Sequence, residues 1–136
     1  MCAASGKDDH LILAALDPLD ALHERAVAFL ESVEDPFFYI CPPVYAELRV
    51  GEGLPLVEAF LQSLGVRLHL EMPLEVWRLA GERFGLYARK RREGGLPRRI
   101  LADFLIGAHT LYHGFRLATF DPLPYHTAFP ELEVLP

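Results

Sequence analysis

The sequence predicts an α/β domain, a mainly parallel sheet with helices on both faces. Short apolar segments of strand length alternate with longer helix-patterned segments along the chain. The segment FFYIC at 37–41 reads as a buried run without polar alternation, which suits a strand covered on both faces. Hydrophobic residues make up 51% and charged residues 24% of 136 positions, enough for one globular domain, 1–136, with a real core.

The elements follow in order. Residues 2–7 are the candidate first strand, LILAAL at 11–16 a short apolar helix, and 18–34 an amphipathic one. The strand 37–41 is stopped by Pro42 and Pro43, which suit the first turn of the next helix, PPVYAELRVG, closed by Gly51. A helix over 55–64 ends at Gly65, and VRLHL at 66–70 alternates as a strand. Pro73 opens a long helix to about Arg92, on which Trp77, Phe84 and Tyr87 form a stripe expected in the core. EGGLP at 93–97 is a loop, and a helix runs from Pro97 to His113, capped by Gly114. FRLAT at 115–119 and LEVL at 132–135 are the last strands.

Composition excludes several classes. The longest aliphatic run, LILAAL, is far short of the roughly 20 residues a membrane span needs. It has no basic flank or cleavage site, so no secretory signal is expected. Cys2 and Cys41 show no ligand spacing, and two lone cysteines suit a reducing cytoplasm. A net charge of −6 argues against a general nucleic-acid coat, yet Arg89, Lys90, Arg91, Arg92, Arg98 and Arg99 form a local basic patch. That patch is either a solvated helix end or a contact for phosphates.

The chemistry lies in the acids. In RRILADFLIGAH at 98–109, Asp103 interrupts an otherwise apolar helix. An isolated buried carboxylate costs several kcal/mol, of order 3–5, unless it is paired, hydrogen-bonded, metal-bound or protonated. Asp121 directly follows the strand 115–119, and Glu47 lies one turn into the helix after strand 37–41. Asp8 and Asp9 precede the first apolar helix. Ligands of parallel sheets sit beyond the carboxyl ends of the strands, so these acidic positions are expected to converge. Singly, each has a plain explanation: Arg99 as an ion-pair partner for Asp103, a surface place beside Arg49 for Glu47, turn chemistry for Asp121, and an N-cap for Asp8 or Asp9. Together, mutually repelling carboxylates are explained by a shared cation, and oxygen ligands select Mg²⁺ or Mn²⁺.

Two other patterns compete with the acids. His109 and His113 stand at i,i+4, a zinc spacing, but HTLYH lacks the glutamate of H-E-x-x-H, and they are assigned to surface or packing. A phosphoacceptor receiver domain needs a late strand-end lysine, and Lys90 is the only lysine after position 7.

The segment LPRRILADFLIGAHTLYHGFRLATFDPLPYHTAFPELEVL resembles the C-terminal half of a PIN domain, as in VapC-type toxins of toxin–antitoxin pairs. PPVYAEL resembles the segment that carries the family's glutamate, here Glu47, and DDHLILAAL the opening aspartate motif. The resemblance implies a three-layer α/β/α PIN-like domain with a mainly parallel central sheet. It implies a Mg²⁺- or Mn²⁺-dependent endoribonuclease that cuts RNA by attack of an activated water. Asp8 and Asp103 would be inner ligands, while Glu47 and Asp121 would act through water or orient the nucleophile. Thr119 would hydrogen-bond within the acidic cluster, and the Arg89–Arg99 patch would clamp phosphates. A homodimer, a small antitoxin partner, and no membrane association are implied as well. The family pattern puts two residues between the first aspartate and the apolar run, which selects Asp8 over Asp9. The alternative is a catalytically silent PIN-like domain that acts by binding a partner.

Overall fold

In the computed structural model of the chain, residues 2–3, 11–32, 38–49, 54–63 and 65–135 are described. Among them five strands are separated by one or two helices each: β1 (Cys2–Ala3), α1 (Leu11–Leu16), α2 (His23–Ser32), β2 (Phe38–Ile40), α3 (Pro42–Leu48), α4 (Leu54–Ser63), β3 (Val66–Leu68), α5 (Leu74–Glu93), α6 (Leu101–Tyr112), β4 (Leu117–Ala118), α7 (Leu123–Ala128) and β5 (Val134–Leu135). The sheet order is β3-β2-β1-β4-β5, and each neighbouring pair is parallel. The α/β class and the parallel pairing are as expected.

The sheet centre is the least strand-like sequence of the chain. Cys2 pairs with Tyr39 on one side and Leu117 on the other. Of the expected strand 2–7, only Cys2–Ala3 is described as strand. Residues 4–10, with both N-terminal aspartates, lie outside the described residues.

Helix ends shift for identifiable reasons. The helix expected from residue 18 begins at His23, because Asp17 and Asp20 divert the backbone into turns. Their carboxylates accept from the N–H groups of Leu19 and Leu22, at 2.9 and 2.8 Å, a local alternative to helical bonding. The helix expected from Pro97 begins at Leu101. Residues 97–100 are held outside it: the Tyr87 hydroxyl donates to the Pro97 carbonyl at 2.6 Å, and Ile100 is extended at φ −99°, ψ 158°. The far end closes as expected, with Gly114 at φ +71°. Gly114 N–H donates to Leu111 O at 3.2 Å and Phe115 N–H to Thr110 O at 3.0 Å, the paired bonds of a Schellman motif. Helix α7 was not anticipated; Pro122 and Pro124 read as turn residues but also suit a helix's first turn.

The core gathers Leu11, Ile12, Ile40, Val44, Phe104, Ile106, Leu117, Tyr125 and Phe129, all buried. The expected aromatic stripe on α5 divides. Tyr87 is buried and Phe84 packs against Phe104 at 4.9 Å between ring centroids, but Trp77 is 51% exposed. Trp77 lies near the start of α5, where its indole N–H donates to Met72 O at 3.0 Å instead of entering the core.

Helix α6 carries the site, and one glycine sets how closely it packs. A Cβ at Gly107 would overlap the Phe129 ring. Gly107→Ala is therefore expected to cost about 1–3 kcal/mol by overpacking, read as a lowered melting temperature. An unchanged melting temperature would mean that Phe129 moves aside freely. No described helix is long and apolar enough to cross a membrane.

Candidate functional site

Asp103 is the third residue of α6, near the helix's positive end. Because residues 97–100 are tethered outside the helix, the first turn starts one residue after Ile100, and Asp103 faces back toward that entry. Its carboxylate takes a backbone hydrogen bond from Ile100, while its own N–H donates to Ile100 O at 3.2 Å. This is one half of a capping box, the N3 carboxylate reaching back to the N-cap N–H, since Ile100 has no side-chain oxygen to return the bond.

The carboxylate is far from its ordinary state. Burial pushes the Asp103 pKa up, Arg99 pulls it down, and the charges of Asp121 and Glu47 push it up again, to about 6. Asp103 is thus a half-buried acid whose neighbourhood holds two further carboxylates. Glu47, half-buried near the end of α3, reaches this locality because Pro42 and Pro43 start that helix directly after β2. Arg49 turns away and pairs with Glu58 at 3.2 Å, so it does not serve Glu47 in the way expected of a surface helix.

Asp121 follows β4 by three residues and is fixed by two contacts. Its N–H donates to Thr119 Oγ1 at 3.0 Å, and Thr119 N–H in turn donates to Leu135 O at 2.8 Å. Thr119 therefore does act within the acidic locality, on the backbone of Asp121. The carboxylate of Asp121 takes Arg99 Nη1 at 2.7 Å and Nη2 at 3.4 Å. Helical spacing predicts Arg99 as the partner of Asp103, one turn away; the structure gives it to Asp121, with Asp103 in its field. The extended Ile100 carries Arg99 off the α6 surface, so helical spacing no longer governs its reach. Arg99 Nε is buried without a partner among the described residues.

Glu47, Asp103 and Asp121 thus share one locality, while Asp8 and Asp9 lie outside the described residues. Of the basic patch, Arg89, Lys90, Arg91, Arg92 and Arg98 are exposed, three of them in the last turn of α5. Arg99 alone is drawn inward. Of the two places expected for His109, surface or packing, it takes packing: its side chain is fully buried, because the end of α6 runs beneath residues 69–71.

The raised Asp103 pKa sets a pH dependence. Its folded value, about 6, exceeds the roughly 3.9 of an unfolded aspartate, so the folded state holds the proton more tightly. The associated stability is complete below about pH 4 and lost as pH rises through about 6. With EDTA present, stability should fall between pH 5 and 7 by about 1–2 kcal/mol, allowing for solvent screening. Glu131, held down to about 2 by its hydrogen bond to Arg83, acts only at lower pH. Thermal melts of wild type and Asp103→Asn over this window check the assignment: the variant should lose the slope, and a retained slope would refute it.

No family model matches the chain, and no curated protein matches it. Solved structures do. FitAcB from Neisseria gonorrhoeae has a TM-score of 0.67 at 21% identity, covering 100% of this chain and 97% of that one. FitAB bound to an IR36 DNA fragment has a TM-score of 0.69 at 21% identity, covering 99% and 94%. VapBC2 from Rickettsia felis, bound to a DNA fragment from their promoter, has a TM-score of 0.60 at 17% identity, covering 98% and 97%. These likenesses extend over nearly all of both chains and show a shared fold.

Proposed function

We propose that this chain is a Mg²⁺- or Mn²⁺-dependent endoribonuclease, the toxin of a toxin–antitoxin pair. The observation that carries the proposal is Asp103, half-buried on an apolar helix and repelled by Asp121 and Glu47. The sequence resemblance to VapC-type PIN domains supports it, as does the fold shared with VapBC2 and FitAB. On the same reading the chain is one three-layer domain, works as a cytoplasmic homodimer, and is restrained by a small antitoxin.

The donor set fits the cation. All the donors are carboxylate oxygens, which suit hard divalent ions, and a carboxyl pushed up to about 6 by burial, with the charges of Asp121 and Glu47 adding to it, is a place a cation would relieve. Asp8 and Asp103 would hold the ion directly, and Glu47 and Asp121 would hold it through water. When bound, the cation supplies charge neutralisation at the phosphodiester and makes water a better nucleophile. Glu47 is the candidate to orient that water and accept its proton. Thr119 and Arg99 keep Asp121 in place. The exposed Arg89, Arg91, Arg92 and Arg98 bind RNA phosphates outside the centre, positioning the strand without reading its sequence.

One observation favours a second reading. Arg99 already neutralises Asp121 at 2.7 Å, as in a silent domain whose acids form a structural network and whose work is partner binding. Cleavage assays separate the two. Purified protein should cut RNA with Mg²⁺ or Mn²⁺, stop with EDTA, and resume when metal is restored. Intact RNA under every metal condition, with growth arrest on expression still present, would favour the silent binding domain.

A further inference from the structure

Away from the acids, the structure assembles a group that no single stretch of sequence shows. His69 directly follows β3, and its N–H donates to Ile40 O at 2.9 Å, which prolongs the β2–β3 pairing and fixes its position. His109 lies in the last turn of α6 and His113 is its C-cap, 40 or more residues away. One ligand atom from each of the three side chains lies within 4.8 Å of the others. We propose that His69, His109 and His113 form a binding site for a zinc-like divalent transition metal, separate from the acidic centre.

Geometry supports the assignment. His69 Nδ1 and His109 Nε2 are 3.2 Å apart. Two imidazole nitrogens bound tetrahedrally at about 2.0–2.1 Å stand about 3.3 Å apart, so this pair already has the spacing of neighbouring ligands. His109 Nε2 also lies 3.0 Å from His69 O, to which its N–H donates. A metal here takes His109 as the Nδ1–H tautomer and displaces that hydrogen bond. The third nitrogen needs an approach of up to about 1.5 Å, within reach of side-chain torsions on a partly buried residue. Supporting contacts are in place. His113 Nε2 donates to Glu71 O at 2.9 Å, which leaves Nδ1 as the ligand atom. A ligating histidine commonly gives its other N–H to a backbone carbonyl in this way. The aromatic wall is also built: Phe115 stacks on His113 at 5.7 Å and meets His69 edge-on at 5.2 Å, and Tyr39 closes against His69 at 5.4 Å.

The chemistry of the donors selects the metal. Three imidazoles suit Zn²⁺, Co²⁺, Ni²⁺ or Cu²⁺ and are poor ligands for Mg²⁺. His109 lies six residues beyond Asp103 on α6, about 9 Å along the helix, so the two sites cannot share one ion. A metal here would tie the end of β3 to the end of α6 and leave a fourth position for water or another ligand.

The test uses purified full-length protein stripped of metal, with Co²⁺ alone as the spectroscopic probe and Zn²⁺ as competitor. Wild type should develop visible cobalt absorption saturating at one equivalent, and Zn²⁺ should abolish it. His113→Gln and His69→Gln, each shown folded by circular dichroism, should weaken binding by at least about the 10–100-fold that loss of a supporting residue costs. Asp103→Asn should leave the cobalt spectrum unchanged. Absence of the band in wild type would overturn the proposal without recourse to any variant. So would a band that survives both histidine substitutions, or one lost with Asp103.

Discussion

Asp103→Asn is expected to reduce metal-supported RNA cleavage by orders of magnitude while leaving the fold intact. The substitution keeps the side chain's shape and leaves an oxygen able to accept from Ile100, so the first turn of α6 retains that bond. What it removes is one negative charge beside Asp121 and Glu47. That charge is a cost to the metal-free protein and an asset only when a cation is bound. At pH 7 without metal, the variant should therefore melt no lower than wild type and release RNA uncut. Cleavage kinetics and thermal melts on the same preparation check both halves. Full activity would remove Asp103 from the centre, and inactivity through unfolding would return it to a structural role.

The second large effect concerns the chain's start. If the family register holds, Asp8 supplies a ligand and Asp9 lies at the entry to α1, close to an N-cap. Asp8→Asn should then abolish metal-dependent cleavage. Asp9→Asn should cost at most about 1 kcal/mol of stability, as for a lost cap, with activity retained. Rates and melting temperatures of the two variants decide between the positions. Activity lost in Asp9→Asn and kept in Asp8→Asn would shift the register by one residue.

Much of this was legible in the sequence for physical reasons that can be named. The boundaries of α5 and the closing glycine of α6 follow from Pro73 and Gly114, whose backbone preferences leave little choice. Asp103 stood out because a charge in an apolar helix demands a partner. Identifying the partner was harder, since helical spacing pointed from Arg99 to Asp103 and residues 97–100 are not helical. The tether from Tyr87 to Pro97 that keeps them extended is a tertiary contact without a local signature. Sequence spacing alone does not join His69 to His109 either: the pair spans 40 residues and depends on strand β3 ending beside α6. Trp77 shows the limit of periodicity, which marks a helix face but not how far along the helix its cover extends.

A divalent cation held by the acids around Asp103 is what separates a nuclease from a silent binding domain. Electron paramagnetic resonance of Mn²⁺ titrated into metal-free protein measures this without reference to substrate. Wild type should quench the free-ion signal with a stoichiometry of one or two ions per chain, and Mg²⁺ should restore it in competition. Asp103→Asn should bind far more weakly, whereas His113→Gln should bind as wild type does. A wild-type signal identical to Mn²⁺ in buffer, or binding unaffected by Asp103→Asn, would contradict the claim and leave the acids as a structural network closed by Arg99.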